Sequence, residues 1–357
     1  MISKKKSITA TAMLLCCLAS IGQYSVGHVS IVMHDEERGN RKVTLEAYYP
    51  VVPSGNPVNS SHEQGEKFPV ICFGHGYQHP GDQYGNLTGI LVPEGYIMLN
   101  ITTSGGLLPS HVKYADDLRF LAGAVSGLGE DSSLPLFGLV DTLICLMGHS
   151  LGGGAMFHAA ADNSVIDAVI ALTPYDSRPS AIGAAATVKV PTLVISGTND
   201  CITPPEKHHL PMYESSAAHD KTYIQIKGGT HCSMGESRKC IKAERLVGCE
   251  PGLTAVEQTA VLARYIVPWL DFFLKGREEQ GRAFNTTLAS DEAVTWLQSR
   301  PLVSHFSQAL NHSSENQFMQ WHHRVPVKPA FKPQWPECCS LDQGLVFNPE
   351  LQPRLSR

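Results

Sequence analysis

Positive charge is in short supply in this sequence of 357 residues: 28 Lys and Arg stand against 33 Asp and Glu, a net charge of −5. Such a balance offers no cationic footprint for a polyanion, so nucleic acid is not an expected partner. Charged residues make up only 17% and hydrophobic ones 43%, with no low-complexity tract, which excludes an intrinsically disordered chain. There is no P-loop and no dinucleotide fingerprint, so no soluble cofactor is implied. The paired spacings of a closed zinc site are also missing. The clusters His208-His209, His322-His323 and His34-Asp35-Glu36-Glu37 read as solvated loops, and no metal is expected. No internal repeat is visible, and no apolar run has the length of a stable membrane span.

The amino end does carry one short apolar run. Lys4, Lys5 and Lys6 precede an uncharged stretch from Ser7 to Gly22, the pattern of an export signal over residues 1–22, with small residues at Ser20, Gly22 and Gly27 as cleavage points. The expected location is therefore extracellular. Of the ten cysteines, Cys16 and Cys17 lie in this leader, leaving Cys72, Cys145, Cys201, Cys232, Cys240, Cys249, Cys338 and Cys339. An even number in an oxidising compartment predicts disulfides. Cys72 and Cys145 sit in apolar strand-like runs and read as buried free thiols. Sequons begin at Asn59, Asn86, Asn100, Asn285 and Asn311, so a glycoprotein is expected in a eukaryotic secretory pathway.

Past the leader, short β-rich runs alternate with helical stretches, the pattern of a mostly parallel sheet covered by helices on both faces. Strands are predicted at 28–33, 43–49, 68–73, 96–102, 142–147, 168–172, 192–196 and 222–226. Val70-Ile71-Cys72-Phe73 and Leu143-Ile144-Cys145-Leu146-Met147 are continuously apolar, as central strands buried on both faces should be. Helices are predicted at 111–124, 151–161 and 254–274, the last ended by Lys275-Gly276. The proline-rich stretch 277–357 reads as an irregular extension, stapled by Cys338 or Cys339, with one periodic segment from Ser290 to Leu297.

Gly148-His149-Ser150-Leu151-Gly152 follows a buried strand and opens a helix, the context that makes G-x-S-x-G a nucleophile elbow. A serine hydroxyl is a poor nucleophile at neutral pH, so a base and an orienting acid must accompany it. Asp200 lies in the loop ending the strand 192–196, and His231 in the loop ending the strand 222–226. These are the expected acid and base, with Asp176 as the rival acid. A tetrahedral intermediate needs backbone donors, and the Leu151 amide after the nucleophile is one. The amide of Tyr77 in Gly74-His75-Gly76-Tyr77 is the expected second, and His75 reads as orienting that loop.

From about His28 to Gly276 the chain resembles the α/β-hydrolases of the dienelactone-hydrolase-like group, which includes bacterial cutinases, poly(ethylene terephthalate) hydrolases, chlorophyllases and platelet-activating-factor acetylhydrolases. The resemblance rests on Gly74-His75-Gly76-Tyr77, Gly148-His149-Ser150-Leu151-Gly152-Gly153, Pro174-Tyr175-Asp176, Pro191-Thr192-Leu193 with Asp200, and Lys227-Gly228-Gly229-Thr230-His231. It implies an α/β-hydrolase sheet of eight or nine strands and a carboxylic ester hydrolase with Ser150, Asp200 and His231 as triad. The Tyr77 and Leu151 amides then form the oxyanion hole, and Tyr77 and Tyr175 line the acyl site. Tyr175 stands where many members carry Trp. Polymeric or small-molecule esters are the implied substrates, taken by a monomer. An amidase, a thioesterase, a phospholipid acetylhydrolase or a catalytically silent binding module would use the same fold.

Between Pro174 and Pro191 there is no room for a large lid. Cys201 directly follows Asp200 and Cys232 directly follows His231, so a Cys201–Cys232 disulfide is expected to clamp the two loops. The alternative joins either of them to Cys240 or Cys249.

Overall fold

The computed structural model describes residues 23–51, 66–78, 81–106 and 109–303. The expected leader over residues 1–22, the sequons at Asn59 and Asn311, His322-His323, and Cys338 and Cys339 lie outside the described residues.

Nine strands form one sheet: β1 (Ser25–Asp35), β2 (Arg41–Val51), β3 (Phe68–Gly74), β4 (Ile97–Ile101), β5 (Val140–His149), β6 (Ala168–Leu172), β7 (Thr192–Gly197), β8 (Lys221–Ile226) and β9 (Val294–Gln298). Their order is β1-β2-β4-β3-β5-β6-β7-β8-β9. From β4 to β8 every neighbouring pair is parallel, while β1, β2 and β9 add antiparallel pairs at the two edges. This is the α/β-hydrolase sheet.

Helices α1 (Gly85–Leu91), α2 (His111–Glu130), α3 (Leu151–Ala160), α4 (Ala181–Ala185), α5 (His209–Ser215), α6 (Arg238–Leu246), α7 (Ala255–Lys275) and α8 (Glu278–Ser290) complete the described elements. Strand side chains alternate between the two faces, so the sheet has two cores. Val70, Cys72, Leu146, Val169 and Val194 pack with α2, α3, α4 and α5. Ile71, Phe73, Met147, Ile170, Leu193 and Ile224 pack with α1, α7 and α8. Cys72 and Cys145 are free and buried, one on each side.

Local sequence explains the helix limits. The Ser110 hydroxyl accepts the Lys113 amide at the start of α2. Thr254 and Glu257 form a reciprocal capping box at the start of α7, and Gly276 at φ 64° ends that helix in the left-handed region.

The boundary expected at Gly276 moves. Helix α8 buries Phe284 and Leu288 in the core, and β9 pairs antiparallel with β8, from Thr222 opposite Gln298 to Ile226 opposite Val294. The segment from Ser290 to Leu297, read as periodic within an irregular extension, is the end of α8 followed by this edge strand. A strand with one exposed face should alternate cleanly, but here the apolar Leu297 takes an exposed position and breaks the alternation within only five residues.

Three of the sequons lie among the described residues, and the fold engages each of them. Asn100 is fully buried in β4, and the Asn86 side-chain nitrogen uses both hydrogens, donating to the Met234 carbonyl at 3.1 Å and Thr259 Oγ1 at 2.9 Å. That nitrogen is where a glycan would attach. The Asn285 amide donates to the Leu302 carbonyl at 2.8 Å.

Candidate active site

Strand β5 ends at His149 and α3 begins at Leu151, leaving Ser150 alone in the turn with φ 54° and ψ −116°. A non-glycine residue held there costs on the order of 1–3 kcal/mol, which the surrounding contacts must offset. The Ser150 amide donates to the Leu172 carbonyl at 3.0 Å, and its carbonyl accepts the amides of Gly154 at 3.0 Å and Tyr175 at 2.9 Å. The flanking glycines are required by space. A Cβ on Gly148 would lie 2.4 Å from the Gly152 carbonyl oxygen, and one on Gly152 would lie 2.1 Å from that of Gly74. The second contact shows that the loop after β3 abuts the first turn of α3.

The predicted nucleophile, base and acid form one hydrogen-bonded chain. Ser150 Oγ is 2.9 Å from His231 Nε2, and His231 Nδ1 is 2.8 Å from Asp200 Oδ2. All three residues are buried. Asp200 Oδ1 accepts the amides of Ile202 at 3.0 Å and Thr203 at 2.8 Å, and Oδ2 accepts the Thr203 hydroxyl at 2.9 Å. Burial opposes ionisation of Asp200, but His231 beside it and the Thr203 amide hold the carboxyl below its usual range. The loops bearing acid and base are zipped together, the Asn199 amide donating to the Gly229 carbonyl at 2.9 Å.

The rival Asp176 has another task. Its Oδ1 accepts the Ser180 hydroxyl at 2.9 Å and the Ile182 amide at 3.2 Å, fixing the start of α4.

His75 is fully buried, its ring nitrogens 2.7 Å from the Gly76 carbonyl and 2.8 Å from the Thr103 carbonyl. Burial lowers its pKa, favouring a neutral ring that orients the loop. Leu151 is the first residue of α3, where the helix ladder leaves the amide unused. Tyr77 lies in an exposed turn just beyond Gly76. Tyr175 stands between two imidazoles, its ring 5.9 Å from that of His111 and 5.3 Å from that of His208. Between β6 and β7 the only helix is α4, of five residues.

Several contributors were not legible in the sequence. His209, read as part of a solvated loop, is fully buried: Nδ1 is 2.8 Å from Ser196 Oγ and Nε2 is 2.9 Å from Thr203 Oγ1. Burial lowers its pKa to about 3, so it is neutral, and its Nε2 is hydrogen-bonded to the threonine that holds Asp200. Asp35, also assigned to a solvated loop, is buried and ion-paired with Arg38. Only a pattern of strand ends with polar residues hints at such roles, and many surface loops share it.

The expected Cys201–Cys232 disulfide is replaced by two others. Cys201 pairs with Cys249 and Cys232 with Cys240, at Cα separations of 5.5 Å and 5.4 Å. Cys201 is exposed while Cys232 is buried, so the two side chains do not share an environment although their loops are adjacent. Helix α6, inserted directly after the base loop, brings a partner to each.

Among the described residues no helix is long and apolar enough to cross a membrane. Residues 54–284 match the family model described as PETase, PET hydrolase-like. The chain is similar to Cutinase 2 of Thermobifida cellulosilytica, 27% identical over 206 residues that cover 52% of this chain and 76% of that protein. It is similar to Cutinase cut1 of Thermobifida fusca, also 27% identical over 206 residues, which are 62% of that protein. A bis(hydroxyethyl) terephthalate hydrolase of Streptomyces coelicolor is 34% identical over 153 residues, covering 42% of this chain and 46% of that protein. The chain thus spans from about half to three quarters of the length of these relatives. With the match covering well over half of its residues, the chain belongs to the PET hydrolase-like family of carboxylic ester hydrolases with the α/β-hydrolase fold.

Proposed function

We propose that the protein cleaves carboxylic esters in two steps through an acyl group carried on Ser150. His231 Nε2 takes the Ser150 proton as Oγ attacks the ester carbonyl, and Asp200 keeps Nδ1 protonated and balances the imidazolium that forms. The amides of Tyr77 and Leu151 receive the negative charge on the carbonyl oxygen. The imidazolium then protonates the leaving alcohol. In the second step His231 deprotonates water, which attacks the acyl carbon, and the carboxylic acid departs as Ser150 recovers its proton.

The observation that carries this reading is the continuous chain from Ser150 Oγ through both nitrogens of His231 to Asp200, at 2.9 Å and 2.8 Å. Tyr77 and Tyr175 flank the acyl site in this reading, and the wall formed by Tyr175 with His111 and His208 favours flat or extended acyl groups of small-molecule or polymeric esters. The Lys4-Lys5-Lys6 leader and two disulfides support secretion, and the net charge of −5 supports a monomer that ignores nucleic acid. The test is hydrolysis of short p-nitrophenyl esters by Ser150→Ala. Turnover is expected to fall by about a thousandfold or more with the fold intact. Full activity in that variant would refute the reading.

A further inference from the structure

Helix α6 is polar on nearly every side, and its single buried residue is an acid, Glu244. A carboxylate is a costly residue to bury unless it is hydrogen-bonded. Here Oε1 accepts the amide of His231 at 2.8 Å, with the Cys232 amide farther away at 3.4 Å. The carbonyl of His231 is held in turn by His149 Nε2 at 3.1 Å. The backbone of the base is therefore gripped on both sides, by the residue before the nucleophile and by a carboxylate from an inserted helix.

That helix is fastened where it matters. Cys240 in α6 is bonded to Cys232, the residue after the base, and Cys249 just beyond α6 is bonded to Cys201, the residue after the acid. The Ser237 hydroxyl starts the helix by accepting the Cys240 amide at 3.3 Å. Two covalent links and one cap thus fix the carboxylate of Glu244 relative to both catalytic loops.

We propose that Glu244 is a positioning residue, which sets the imidazole of His231 for proton transfer by fixing its backbone amide from a doubly stapled helix. This rests on the assignment of His231 as the base for Ser150. The bond does not touch substrate, so it acts on the rate of the chemical step, where a small displacement of the imidazole is costly, and leaves ester binding nearly unaltered.

The test compares Glu244→Met, Glu244→Gln and Ser150→Ala in the full chain, with kcat expressed per active site titrated by a fluorophosphonate for the two Glu244 variants and per mole of folded protein for Ser150→Ala. Methionine keeps the length of the side chain and removes both the buried charge and the acceptor of the His231 amide. Glu244→Met is expected to lower kcat by about tenfold to thirtyfold with KM within about twofold, and Glu244→Gln, which retains an acceptor oxygen, to recover most of it. A purely structural role would lower the melting temperature and leave kcat per titrated site unchanged. Wild-type kcat in Glu244→Met, or equal loss in Glu244→Gln, would overturn the proposal. If Ser150→Ala retained turnover, the assignment beneath it would fall as well; if that variant is inactive while Glu244→Met is fully active, only the positioning role falls.

Discussion

The Tyr84 hydroxyl is hydrogen-bonded to Nδ1 of His149 across 2.8 Å, and this bond joins the segment that leads into α1 to the residue before Ser150. The Tyr84 oxygen accepts the Gly76 amide at 2.8 Å, and His149 Nε2 donates to the His231 carbonyl at 3.1 Å. The variable residue of the G-x-S-x-G motif therefore connects the proposed oxyanion loop to the base.

Removing the hydroxyl should weaken both ends of this chain. Tyr84→Phe leaves the buried Gly76 amide and His149 Nδ1 without their partner, which costs about 1–3 kcal/mol of stability. Its kcat on p-nitrophenyl butyrate is expected to drop about tenfold as the loop amides lose their aim. Unchanged kcat and melting temperature would show the chain to be inert.

The acid should matter far more than its neighbours. Asp200→Asn preserves size but disrupts the tautomer that His231 needs, and kcat is expected to fall about ten-thousandfold, as in other triads. Asp176→Asn, whose carboxylate fixes α4, should stay within about threefold of the parent. The ratio of the two rates separates the acid from its rival.

Glycines at the elbow and on the helix surface should respond oppositely. At Gly152 a Cβ would meet backbone only 2.1 Å away, so Gly152→Ala forces α3 from the sheet and should cost about 1–3 kcal/mol or more, with loss of activity. At Gly123, within α2, nothing lies within 4 Å, and Gly123→Ala should stabilise by about 0.5–1 kcal/mol. Chemical denaturation of both proteins provides the comparison.

The two disulfides should differ in weight. They close loops with sequence separations of 48 and 8 residues. The chain-entropy relation gives about 4 kcal/mol for the longer and about 2.5 kcal/mol for the shorter. The double variant Cys201→Ala with Cys249→Ala is therefore expected to melt below Cys232→Ala with Cys240→Ala, and the reverse order by calorimetry would contradict it.

Acid should destabilise the fold from mildly acidic pH onward. Burial depresses the His209 pKa from 6.5 to about 3, so between those values the unfolded chain binds a proton that the folded chain refuses. Stability is then lost as pH falls through that window, with a slope of at most about 1.4 kcal/mol per pH unit for one group. The Asp200 carboxyl is also held below its usual range, so its contribution is present above the ordinary carboxylate range and disappears on further acidification. In His209→Gln the decline between pH 6.5 and 3 should be shallower, as urea titrations at several pH values would show.

Much of this was legible in the residues because the relevant features are local. Continuous apolar strands such as Val70 to Phe73, and the glycines around Ser150, state their surroundings in a few consecutive positions. Asp200 and His231 could be chosen because each follows an apolar strand in the required order. What escaped depends on contacts between distant positions. The buried state of His209 is set by Ser196 and Thr203, the links of Tyr84 span 65 residues to His149, and the partners of Cys201 and Cys232 depend on where α6 docks. Edge strand β9 was missed because five residues, three of them apolar, are too few to separate a strand from the periodic stretch 290–297 in which they lie.

The central claim is that the hydroxyl of Ser150 is the atom that carries the acyl group. The most direct test is to react the active protein with a fluorophosphonate and to map the adduct by peptide mass spectrometry. A single adduct on Ser150, formed in step with loss of esterase activity and abolished in His231→Ala, is the expected result. Inactivation with Ser150 unmodified, or an adduct on another residue, would contradict the account.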